Sequence, residues 1–98
     1  MKLAWSPLAI ERISESAEYI AQDSPEAATK WVDTLFEKVK RLKDFPRSGR
    51  RVPETKRTDI LEILYGHYRI IYRVSQNEIS ILTVRHGKQI LPKEDISD

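Results

Sequence analysis

The 98-residue chain has no cysteine, which excludes disulfide stapling, thiolate nucleophiles and cysteine-based zinc sites together, and suits a reducing compartment. Histidine is nearly as scarce. His67 and His86 are the only two, neither has a second ligand at metal spacing, and no metal or cofactor is expected. The three glycines form no Gly-x-Gly-x-x-Gly fingerprint, Walker loop or Gly-x-Ser-x-Gly elbow, so nucleotide-binding and serine-hydrolase chemistry have no sequence support. Long hydrophobic runs are missing too, since nothing approaches the roughly 18 apolar residues of a membrane span. The amino end, MKLAWSPLAIE, places a proline and a glutamate where a signal peptide would need apolar residues, so a cytoplasmic location with no membrane partner is expected.

What is present is 40% apolar and 33% charged residues, enough for one small core in a single domain over residues 1–98. The net charge of +2 hides an uneven distribution. Residues 1–45 sum to −1, residues 46–73 to +4 and residues 74–98 to −1, which points to an acidic partner for the middle of the chain.

Lys2 to Trp5 reads as a short strand. Ser6-Pro7 and Ser24-Pro25 each combine an N-cap with proline in the first helical turn, so two helices should follow. Leu8, Ile13, Ala17 and Ile20 mark the buried stripe of the first, and Ala28, Val32, Leu35, Phe36, Val39 and Leu42 that of the second. Their short connection makes them an antiparallel hairpin. Phe45-Pro46 and Gly49 end the helical pattern. Ile60 to Tyr65, Tyr68 to Val74 and Glu78 to Arg85 then read as three strands of a meander, turned at Gly66-His67 and Gln76-Asn77. Residues 90–98, with Pro92 and several charges, are expected to form a flexible tail. The fold class is therefore α+β, with a helix hairpin packed on one face of a mainly antiparallel sheet.

Two-residue turns fix the register. A Gly66-His67 loop pairs Tyr65 with Tyr68, Ile63 with Ile70 and Leu61 with Tyr72, all apolar, and a one-residue slip would mix faces. In this register Leu61, Ile63, Ile70, Tyr72, Val74, Ile79 and Ile81 form the face that the helices cover. The opposite face would carry Glu62, Arg69, Arg73 and His86 among Ile60, Leu64, Ile71, Leu82 and Val84. Unless the C-terminal tail folds back over it, such a face is an exposed apolar patch studded with arginines, which marks a binding surface. A plainer reading pairs the two arginines with Glu62 across the strands.

The order of elements, Trp5-Ser6-Pro7, Tyr19-Ile20, Phe45-Pro46 followed by Gly49-Arg50, and above all Tyr68-Arg69-Ile70-Ile71-Tyr72-Arg73-Val74, resembles the RelE/ParE superfamily of bacterial type II toxins. That resemblance implies a growth-inhibiting toxin silenced by a cognate antitoxin, with Glu62, Leu64, Arg69, Ile71, Arg73, Leu82 and Val84 as its antitoxin surface. The segment His86-Gly87-Lys88-Gln89-Ile90-Leu91 looks more like the ParE branch, whose members inhibit DNA gyrase without cutting it. The target would then meet Arg47, Arg50, Arg51, Lys56, Arg57, His86 and Lys88, with no sequence-specific DNA binding by this chain alone. The other branch cuts mRNA on the ribosome, and its chemistry would need Arg69 for the phosphate, His86 as acid, and Glu54 or Lys56 as base or charge stabiliser.

Overall fold

A computed structural model describes residues 1–87 and 89–96. The chain runs β1 (Lys2–Trp5), α1 (Pro7–Asp23), α2 (Pro25–Lys40), a 3-10 turn (Arg41–Lys43), β2 (Arg50–Arg51), β3 (Ile60–Tyr65), β4 (Tyr68–Val74), β5 (Glu78–His86) and α3 (Lys93–Ile96). Both helix starts form as their sequences dictate: Ala9 N–H donates to Ser6 Oγ at 3.0 Å, and Ala27 N–H donates to Ser24 Oγ at 3.1 Å. Ser6 has a second role. Its hydroxyl donates to the Leu82 carbonyl at 2.8 Å, tying the start of α1 to the middle of β5.

The five strands lie in the order β1-β5-β4-β3-β2, with β1 parallel to β5 and every other pair antiparallel. The β3–β4 register is the one the sequence predicts, Tyr65 opposite Tyr68 and Leu61 opposite Tyr72, with Gly66 at φ +58° in the turn. The helix hairpin buries Ala9, Ile13, Trp31, Leu35 and Val39 against Leu61, Ile70, Tyr72, Val74, Ile79 and Ile81. Phe36, predicted for this core, is instead 41% exposed and meets Trp5 edge-on at 4.9 Å.

Three expectations change. A bulge between Ile71 and Tyr72 sets Ile71 opposite Thr83 and Tyr72 opposite Ile81, so Leu82 is the extra residue. Beyond it β5 is turned over: Val84 packs in the helix-side core, and Thr83 and Arg85 occupy the face predicted for Val84 and His86. The second correction is the tail. Its described part is packed, because Ile60 and Ile71 need a cover, and Leu91 and Ile96 supply it together with Val52 from the loop before β3. Arg85 fastens this segment, donating to the Ile90 carbonyl at 2.8 Å and lying 3.7 Å from Asp95, which accepts from the Thr83 hydroxyl at 3.2 Å. Third, Arg50 and Arg51 form a short edge strand where only a turn was expected, Arg50 pairing with Glu62 and Arg51 with Leu61.

Candidate functional site

The second face is not an open patch of apolar groups. Glu62, Ile60 and Ile71 are fully buried and Arg69 is 8% exposed. The arginine sits at the centre of an ion cluster. Its Nε donates to Glu62 at 2.7 Å, and its two terminal nitrogens grip Glu54 at 2.8 and 2.7 Å. Arg50 Nε donates to the other oxygen of Glu62 at 2.7 Å. Glu62 therefore lies between two guanidinium groups, and this pairing is what allows a carboxylate in the middle of a hydrophobic strand. The same contacts raise Arg69 above the ordinary arginine range and hold Glu54 below the ordinary carboxylate range.

Tyr72 locks the loop that carries the other cations. Its hydroxyl donates to the Pro46 carbonyl at 2.9 Å and accepts from the Gly49 N–H at 3.0 Å, and burial pushes the phenol up. Gly49 must be glycine for steric reasons, since a Cβ there would stand 2.6 Å from both the Tyr72 hydroxyl and the Glu62 carbonyl oxygen. The sequence marked Phe45-Pro46 and Gly49 as a chain break. That a buried tyrosine 23 residues later reads both sides of it had no local signal.

A cleft of about 340 Å³ opens beside the cluster, lined by Arg50, Pro53, Glu54, Leu64, Gly66, His67, Tyr68, Arg69, His86 and Gly87. Here three of the four residues considered for RNA cleavage meet: Glu54, Arg69 and His86. Lys56 is not part of that cleft; it lines a second depression with Arg57, Lys93 and Ile96, which Glu54 also borders. The three that meet are poorly set for catalysis. Arg69 is engaged by two carboxylates, and a Glu54 held ionised by Arg69 is a weak proton acceptor. His86 stacks against His67 with ring centroids 5.9 Å apart and meets the Tyr68 ring edge-on at 5.4 Å, on the helix side of the sheet.

Of the residues expected to meet an antitoxin, Glu62, Ile71 and Val84 are sealed inside the chain, Arg69 nearly so, and Arg73 and Leu82 are half-buried. Leu64 is the open one, at 50% exposure. Arg73 lies close enough to Asp59 to help Arg57 hold that carboxyl below its usual range. Among the residues expected to meet a target, Arg47, Arg50, Arg51 and Lys56 are exposed, Arg57 is half-buried and bidentate on Asp59 at 3.0 and 2.7 Å, and Lys88 lies outside the described residues. Among the described residues no group of three or more metal-ligating side chains occurs, and no helix is long and apolar enough to cross a membrane.

The fold, a small sheet with a helix hairpin packed on one side, has a solved counterpart. A chain of the chromosomal ParDE TA system from P. aeruginosa superposes with a TM-score of 0.75 at 24% identity, covering 90% of this chain and 97% of that one. Residues 3–91 match the model of the ParE toxin of the type II toxin-antitoxin system, parDE. A candidate toxin, Y4kP of Sinorhizobium fredii (strain NBRC 101917 / NGR234), is 34% identical over 94 residues, 94% of each chain. The chain belongs to the ParE toxin family and is a type II toxin.

Proposed function

We propose that this toxin arrests growth by binding and inhibiting DNA gyrase, without making or breaking a bond, and that a cognate antitoxin neutralises it. Membership of the ParE family supports the antitoxin partner, and gyrase is the target that the resemblance to the ParE branch suggests. The observation that carries the non-enzymatic reading is the state of Arg69: a guanidinium that gives its Nε and both terminal nitrogens to Glu62 and Glu54 is committed to carboxylates and not presented to a scissile phosphate. The antitoxin covers Leu64 and the rim of the neighbouring cleft, where Arg50 and the Glu54–Arg69 pair offer charge beside an exposed apolar side chain. Gyrase meets the exposed loop cations Arg47, Arg50, Arg51 and Lys56.

The test is a supercoiling assay with purified toxin. Inhibition that survives His86→Ala and is lifted by the antitoxin is expected. Supercoiling left intact at a large molar excess, with transcripts cleaved on ribosomes by the same preparation, would overturn the proposal.

A further inference from the structure

Charge is divided sharply along this chain. Residues 38–57 hold nine cations and two carboxylates, a net of +7, while the rest of the chain sums to −5. One of the two carboxylates, Glu54, is already bound to Arg69, so it does little to cancel the field of its own segment. Lys38, Lys40, Arg41 and Lys43 complement the C-terminal end of the α2 dipole, a structural role that does not withdraw Lys38 or Arg41 from the cleft they line. It does not account for Arg47, Arg50, Arg51 or Lys56, all exposed on the loop that follows.

The fold gathers part of this charge around one cleft. Lys38, Arg41 and Arg50 line a hollow of about 390 Å³ between the end of α2 and the β2–β3 edge. Arg50 is held there by the buried Glu62 while its side chain stays 59% exposed, a cation fixed in place and open to solvent. Phe45, 65% exposed, is tied through its backbone to two residues of that lining. Its N–H donates to the Arg41 carbonyl at 3.0 Å and its carbonyl accepts from Ser48 N–H at 3.1 Å, and both of those residues line the cleft. An acidic peptide would need only the cations. An exposed phenyl ring on the same basic segment suits a strand that carries phosphates for the cations and an unpaired base for the ring. Bases paired in a duplex keep their faces stacked on one another and leave the ring without a partner.

We infer that this face binds single-stranded nucleic acid, with Arg41, Arg47 and Arg50 on successive phosphates and a base stacked on Phe45. The inference rests on the target-facing reading of the basic loop, and it is measured without gyrase so that the two can fail separately. Fluorescence anisotropy of the full chain would use labelled 15-mers of dT, of U and of duplex DNA, with a 15-residue polyglutamate peptide as competitor. Three to four neutralised phosphates give a log–log salt slope of about −2 to −3. Phe45→Ala weakens single-strand binding roughly tenfold and leaves the slope unchanged. Arg41→Ala and Arg47→Ala each reduce the slope by about 0.7. Binding of either single strand supports the inference. Absence of binding at about 50 mM salt, duplex bound more tightly with Phe45→Ala inert, or equal competition by polyglutamate overturns it. Supercoiling inhibition that persists without oligonucleotide binding leaves the gyrase reading standing and this one refuted.

Discussion

The two faces of the sheet are closed by different physics. On one side two capped, periodic helices lay down an apolar layer, and Leu61, Ile70, Tyr72, Val74, Ile79 and Ile81 answer it. On the other, the described residues offer only the four-residue α3 and loop segments. A loop residue, Val52, and the C-terminal Leu91 and Ile96 cover Ile60 and Ile71, and beside them a buried carboxylate is balanced by two arginines. The first face can lose a methylene and remain a face. The second depends on a few specific pairings, because a buried charge without its partner is far costlier than a small cavity.

That contrast predicts a hierarchy of effects. Arg69→Ala should be the most damaging change, costing about 3–5 kcal/mol in urea unfolding because Glu62 is left buried with Arg50 alone. For a chain of this size that lowers the melting temperature by roughly 12 °C or more. Leu91→Ala should cost about 2–3 kcal/mol and raise amide exchange around Ile60 and Ile71, the residues it covers. A tail that contributed nothing would leave both measurements unchanged. Tyr72→Phe keeps the ring but removes the hydroxyl bonds to Pro46 and Gly49, and about 1–2 kcal/mol is expected, with faster proteolysis in the loop.

The smallest effect concerns acid. Glu54 and Asp59 are held below their ordinary values of 4.5 and 3.8, chiefly by hydrogen bonds from Arg69 and Arg57. A carboxyl depressed in the folded state stabilises it above the unfolded value, and that contribution is lost as pH falls through the folded one. Unfolding free energy should therefore decline on acidification below pH 4.5. Glu54→Gln should flatten the decline by roughly 0.2–1 kcal/mol, since this carboxylate is partly in water.

How much of this was legible in the sequence follows the same division. Ser6-Pro7, Ser24-Pro25 and the apolar stripes specified the helices, and Gly66-His67 specified the hairpin register, because each is a local rule. The second face was legible only as the plainer alternative, with the arginines paired to Glu62 and the tail folded back, because its parts are far apart in the chain. Glu54, Glu62 and Arg69 come together only once β3 and β4 are paired and the loop is folded down. Glu62 inside Ile60-Leu61-Glu62-Ile63-Leu64 was the available signal, a carboxylate where only a paired one can be buried. The bulge that exchanged Val84 with Thr83 had a faint sign in the consecutive Ile81-Leu82, which breaks strict alternation. Leu91 and Ile96 were visible as apolar residues, but nothing local says which surface they cover.

Arg69 acts as a structural ion, and a double-mutant cycle between Glu62→Gln and Arg69→Met, read by urea unfolding, tests this directly. A coupling of about 2 kcal/mol or more is predicted for a buried pair at 2.7 Å. Additive effects, with coupling below about 0.5 kcal/mol, would show that the two side chains act independently and that the guanidinium is available for other work.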